Sequence, residues 1–181
     1  MIHQATSILI LVDYQTRLMP SIHDGEKAIA SAIFLANVAQ ALDIPILGTE
    51  QNPEGLGPND ERIKQLCSQT LVKHSFNAVA DGLVDYMKSV SPQITQVVLA
   101  GCEAHVCLMQ TALGLLEAGY EVAVVAEACG SRLAQDKLLA LDRLVQQGVI
   151  LLGAEMLAFE WLKTSDHPQF KNILQLIKKR S

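Results

Sequence analysis

A chain of 181 residues that is 50% apolar but only 4% aromatic can bury one aliphatic core and falls in the usual size range of a single domain, expected over residues 1–181. Its net charge of −5 comes from scattered acids, and its one basic run is Lys178-Lys179-Arg180 at the end of the sequence, so no nucleic-acid partner is expected. No apolar stretch reaches the roughly 18 to 20 residues that span a bilayer, no export leader is evident, and the four cysteines form neither a CxxC pair nor a zinc spacing. These exclusions point to a cytoplasmic protein with reduced thiols, no membrane partner, no metal and no cofactor.

In chain order, "SILILVD" is a short apolar run closed by an acid, the pattern of a strand buried on both faces. "EKAIASAIFLANVAQAL" then repeats with helical spacing, and "IPILGTE" reads as a second strand. The Pro, Gly and Asn residues of "QNPEGLGPND" predict a loop leading to a short helix over Glu61 to Cys67. "TLVKHS" is a third strand, "LVDYMKSV" a helix stopped by Pro92, and "QVVLAG" a fourth strand. "VCLMQTALGLLEAG" is a helix ending at Gly119, "EVAVVAEA" a strand, "QDKLLALDRLVQQG" a helix ending at Gly148, and "VILLG" a sixth strand. Two helices, near Ala154 to Lys163 and Gln169 to Lys179, complete the chain. Strands alternating with helices predict an α/β fold with an open parallel sheet covered on both sides.

Ligands of such sheets bind beyond the carboxyl ends of the strands, where the strand order reverses. Asp13, Glu50 and Lys73 end the first three strands, and "GCEAHVC" follows the fourth. If the first and fourth strands are neighbours, Asp13 and Cys107 flank the crevice. Cys107 lies where a loop enters a helix, so free N–H groups and the helix dipole favour its thiolate, an advantage that Cys102 lacks. Asp13 can accept the thiol proton and Lys73 can stabilise the charged pair.

Each residue also has an ordinary explanation. A lone Cys commonly packs as a small apolar group, an acid at a strand end caps a loop, and a Lys there is solvated. His105 offers a rival Cys/His pair with Cys107, but residues two apart on a helix diverge, so a place in the pocket wall is the better reading. Gln15 and Gln51 are candidates to bond substrate from the rim, and Phe76 to wall the pocket. Cys67 and Cys129 read as packing residues.

The elements "ILVDYQ", "GTEQNPEGLG", "VKHSFNA" and "GCEAHVCLMQTALGLLEAGYEV" occur in order over nearly the whole chain. In this the sequence resembles the isochorismatase-like cysteine hydrolase superfamily, and most closely its isochorismatase domain-containing hydrolases of uncertain substrate. The resemblance implies a three-layer α/β/α fold with a six-stranded parallel sheet of order 3-2-1-4-5-6. It implies Asp13 as acid–base, Lys73 as the lysine and Cys107 as nucleophile. It further implies a cis bond between Cys102 and Glu103, and an oxyanion hole from the backbone N–H groups of Glu103 and Cys107.

Nicotinamidases of this superfamily carry an Asp and His metal cluster after the second strand, whereas "EQNPEGLGPNDER" contains no His. True isochorismatases cleave a vinyl ether without relying on the Cys. The expected activity is therefore metal-free hydrolysis of a small-molecule amide or related carbonyl C–N bond through a thioester, by a homo-oligomer. Two alternatives stay open: a catalytically silent oligomeric protein that keeps the fold for binding or scaffolding, and a peroxide-sensing thiol that requires an exposed Cys of low pKa.

Overall fold

The computed structural model describes residues 1–180. The six apolar runs form strands β1 Ser7–Val12, β2 Ile46–Gln51, β3 Gln69–Lys73, β4 Gln96–Gly101, β5 Glu121–Val125 and β6 Ile150–Leu152. All pair in parallel, as the strand–helix alternation predicts, and in the order β3-β2-β1-β4-β5-β6 that the resemblance implies. Every residue of β1, β2 and β4 is buried. These central strands have helices on both faces, so continuous apolar runs rather than alternating ones suit them.

The helices are α1 Gly25–Ala41, α2 Pro53–Leu56, α3 Glu61–Lys64, α4 Leu83–Val90, α5 Met109–Glu117, α6 Ala134–Gln146, α7 Ala154–Leu162 and α8 Phe170–Lys178. The period-two pleat of β1 divides the core between two faces. Leu9 and Leu11 pack in one cluster with residues of α1, α7 and α8, including Leu35, Trp161 and Ile173. Ile8, Ile10 and Val12 pack in the other with residues of α4, α5 and α6, including Met87, Leu115 and Leu144. The result is a three-layer α/β/α fold.

Two local departures from the expected elements lie beside the crevice. The loop after β2 contains the single turn α2, opened by Pro53 at a position whose missing N–H costs nothing. Helix α5 is preceded by a π-helical turn, Ala104–Leu108, in which Leu108 N donates to Glu103 O at 3.3 Å. Ala104 N at the head of that turn donates to Gly130 O at 2.7 Å, which ties it to the segment after β5.

β1 and β4 stay in contact past their last paired residues, where Cys102 N donates to Val12 O at 2.9 Å. Gly101 makes this approach possible: it adopts φ +152°, and a Cβ there would sit 2.2 Å from Val12 O. Gly101→Ala is therefore expected to destabilise the fold by about 3 kcal/mol, read from the shift of a urea-unfolding midpoint at constant slope. A loss under about 0.5 kcal/mol, the range of neutral surface substitutions, would contradict this packing.

Candidate active site

At the carboxyl end of β1, Asp13 adopts φ +53°, a left-handed conformation that Asp tolerates better than most residues. Asp13 is fully buried, and both of its oxygens are occupied. Thr49 Oγ1 donates to Oδ1 at 2.6 Å and Lys73 Nζ to Oδ2 at 2.8 Å. Lys73, the last residue of β3, is itself 0% exposed. A buried ammonium is tolerated only when paired and hydrogen-bonded, and Lys73 meets both conditions. It also donates to Gln51 Oε1 at 2.7 Å and, at 3.5 Å, to Ser75 O.

Gln51 joins the pair to the sulfur. Its Nε2 donates to His74 O at 2.7 Å, which fixes the amide so that Oε1 faces Lys73. Cys107, within the π-helical turn, donates a long bond of 3.9 Å to the same oxygen. Asp13 and Lys73 lie close enough to the thiol to act on its ionisation in opposite directions. Residues from β1, β2, β3 and the segment after β4 thus converge at the point where the strand order reverses.

The expectation that Cys107 rests as a favoured thiolate is opposed by its surroundings. The side chain is 93% buried, and burial together with the negative charge of Asp13 pushes the thiol up to about 12, against the opposing pull of Lys73. The helix-entry argument leaves out the carboxylate that lies beside the sulfur. The same surroundings argue against an exposed, low-pKa redox sensor. Cys67, Cys102 and Cys129 are likewise raised by burial, as packing residues should be.

Cys107 and Asp13 open into a cleft of about 400 Å³, walled by Leu18, Leu56, Phe76 and Val106. Its charged lining includes Glu103, whose carboxylate accepts from Arg132 N, Nε and Nη2 at 3.0 to 3.1 Å. The peptide between Cys102 and Glu103 is cis, and among the described residues no backbone carbonyl accepts from the Glu103 N–H. Two larger hollows, of about 590 and 460 Å³, flank the start of α1 and contain neither Asp13 nor Cys107. Among the described residues no three His, Cys, Asp or Glu side chains gather as a metal-binding group.

Of the residues expected to touch substrate, Gln51 and Phe76 line the cleft, and Gln15 and His105 do not. Gln15 is fully buried, and its amide is spent on backbone. Its Nε2 donates to Gln51 O at 3.0 Å and Gly57 O at 2.6 Å, while its Oε1 accepts from Gln51 N at 2.9 Å. Gln15 therefore holds the β2 end and the following loop in place. His105 turns toward the start of α6, with Nδ1 3.0 Å from Ser131 Oγ and Nε2 3.8 Å from Asp136.

Sequence reasoning missed Thr49, Arg17 and Arg132. Thr49 was findable: strand alternation places residues 49 and 51 on one face and Glu50 on the other. Glu50 indeed turns away, accepting from Asn59 N at 2.8 Å. Arg17 and Arg132 sit on loops whose paths carry no periodic signal.

The Isochorismatase domain model matches residues 7–156. Isochorismatase domain-containing protein 2A of Mus musculus is 39% identical over 173 residues, covering 96% of this chain and 83% of that one. Isochorismatase domain-containing protein 2 of Xenopus laevis is 34% identical over 174 residues, covering 96% and 84%. Among solved structures, a MAR1 ribonuclease from Caenorhabditis elegans matches with TM-score 0.91 at 32% identity, over 98% of this chain and 92% of that one. YcaC of Escherichia coli, described as an octameric hydrolase of unknown specificity, matches in fold with TM-score 0.82 at 22% identity, over 99% and 97%. With a parallel sheet of matching order and a family model spanning most of its length, this chain belongs to the isochorismatase family.

Proposed function

We propose that this chain is a metal-free cysteine hydrolase that cleaves a small amide, or a related carbonyl C–N bond, through a thioester on Cys107. The observation that carries the reading is the approach of the Cys107 thiol to a buried carboxylate, Asp13, that a buried ammonium, Lys73, holds in place. Such a thiol is a weak nucleophile until its proton leaves, and Asp13 is the base beside it.

As Sγ attacks the carbonyl carbon, the thiol proton passes to Asp13 and negative charge grows on the carbonyl oxygen. The N–H groups of Glu103 and Cys107 receive that oxygen; one such donor is worth roughly 2.7 to 4 kcal/mol in other hydrolases. Collapse breaks the C–N bond, and Asp13 returns the proton to the departing nitrogen. Water then attacks the thioester, giving one proton to Asp13, and the C–S bond breaks. That proton returns to sulfur as the acid leaves. The Lys73 ammonium offsets the shifting charge on Asp13, while Thr49 and Gln51 hold the two in register.

A cleft of about 400 Å³ lies at the small end of the range of about 300 to 1,000 Å³ for small-ligand sites. The C. elegans relative is described as a ribonuclease. Here a net charge of −5 and the small volume of the cleft favour a small carbonyl substrate over a polyanion. All four cysteines are free, which suits a reducing cytoplasm. Exposed Leu133, Leu138, Leu139, Val145 and Met156 are consistent with a homo-oligomer, the state described for E. coli YcaC.

In a screen of small amides, carbamoyl compounds and ureides, Cys107→Ala and Asp13→Asn are each expected to lower kcat at least about 1,000-fold. Full turnover by Cys107→Ser on a substrate so found would overturn the assignment. The thiol's ionisation can be checked without a substrate. Raised from 9.0 to about 12, Cys107 should present about 1,000-fold less thiolate at pH 7 than an unperturbed thiol, so iodoacetamide should label it slowly. Asp13→Asn removes a group that raises the thiol and leaves Lys73, which lowers it. That variant should therefore label faster at pH 7 while losing turnover. Slower labelling would contradict the electrostatics.

A further inference from the structure

Counting the charges that face the cleft leaves one over. Asp13 is paired with Lys73, and Glu103 with Arg132. Arg17 also lines the cleft, and no carboxylate among the described residues pairs with it. Although exposed, Arg17 is held at three points. Its backbone N–H donates to Leu56 O at 3.1 Å, and Nη1 donates to Glu54 O and Gly55 O, each at 3.1 Å. Its stem runs over Gly57, where a Cβ would come 3.6 Å from Arg17 Cγ and 3.9 Å from Cδ. Those contacts account for both Nη1 hydrogens and leave the Nε and Nη2 edge without a protein partner. That edge is one of the guanidinium faces that carboxylates bind with two parallel hydrogen bonds.

We propose that Arg17 is a carboxylate anchor, so that the substrate is a small amide carrying a carboxylate at the end remote from the scissile bond. The proposal rests on the amidase reading of the same cleft for the word amide, but the anchor itself does not. A single unpaired guanidinium edge matches one carboxylate charge. Leu18, Leu56, Phe76 and Val106 suit a short aliphatic spacer between the anchored end and Cys107. Because the loop carbonyls already hold the guanidinium, little side-chain freedom remains to be lost on binding.

The test uses two matched pairs of probes, succinamate with butyramide and glutaramate with valeramide, each pair differing in a carboxylate at the far end. Binding is measured by calorimetry on the Cys107→Ala protein, so that turnover does not enter. At least one anion is expected to bind more than about 10-fold tighter than its neutral partner. Arg17→Met in the same background should weaken that anion about 10- to 100-fold, and Arg17→Lys should recover part of the loss. Equal or undetectable binding of the anions and their neutral partners overturns the anchor, as does a preference that persists in Arg17→Met. Turnover is then followed by ammonia release with Cys107 intact. Anions that bind through Arg17 and are not hydrolysed leave the anchor standing and count against the amidase reading. Hydrolysis of charged and neutral amides alike, with Arg17→Met equally active on both, leaves the amidase and removes the anchor. In the expected case, Arg17→Met raises KM for the anion more than it lowers kcat.

Discussion

A fully buried ammonium at the end of β3 requires a fully buried carboxylate at the end of β1, and the geometry around this cleft follows from that pair. Lys73 and Asp13 meet at 2.8 Å with no exposure of either side chain. Removing one partner of such a pair leaves an uncompensated buried charge, at a cost of about 3 to 5 kcal/mol. Strands β3, β2 and β1 must therefore hold their relative register, because Lys73, Gln51, Thr49 and Asp13 form one bonded set across three strands. The left-handed turn at Asp13 and the close approach at Gly101 bring this set to the crevice between β1 and β4.

The pair also governs the sulfur. Beside an isolated cation, Cys107 would be drawn toward thiolate; beside a cation already committed to a carboxylate, it faces the negative charge of Asp13 as well, which together with burial pushes the thiol up. The Asp13–Lys73 pair is thus electrically balanced, and in the proposed mechanism Asp13 is the base and Cys107 a nucleophile whose proton leaves only as bond formation proceeds. Under that proposal a nucleophilic cysteine can be largely buried and still slow to react at rest. The pair also gives supporting roles to its neighbours. Thr49 fixes the carboxylate, Gln51 fixes the ammonium, and Gln15 fixes the backbone of Gln51.

Much of this was legible in the sequence. Buried parallel strands write themselves as unbroken apolar runs, and Gly119 and Gly148, at φ +88° and +93°, end the helices before β5 and β6 as expected. The rule that chemistry gathers at strand ends singled out Asp13, Lys73 and the segment bearing Cys107. What the sequence hid depends on directions and depths that only tertiary packing sets. Gln15 lies two residues after Asp13 yet turns inward, because the loop after β2 needs its amide. His105 lies two residues before Cys107 and turns toward α6, because the π-helical turn separates the two directions. The pull of a helix entrance on the thiol is opposed by burial and by the Asp13 carboxylate, neither of which a position in the sequence reveals. Arg17 was invisible because its position is defined by carbonyls of a loop with no periodicity.

The family's sheet and cleft could serve a binding protein as well as a hydrolase, and only covalent chemistry at the sulfur separates the two. The most direct measurement is mass spectrometry of protein acid-quenched during turnover of a small amide. The account predicts an added acyl mass confined to the peptide bearing Cys107, absent when Lys73 is replaced by Met. Unmodified Cys107 in protein that is releasing amine, under conditions that preserve thioesters, would contradict it.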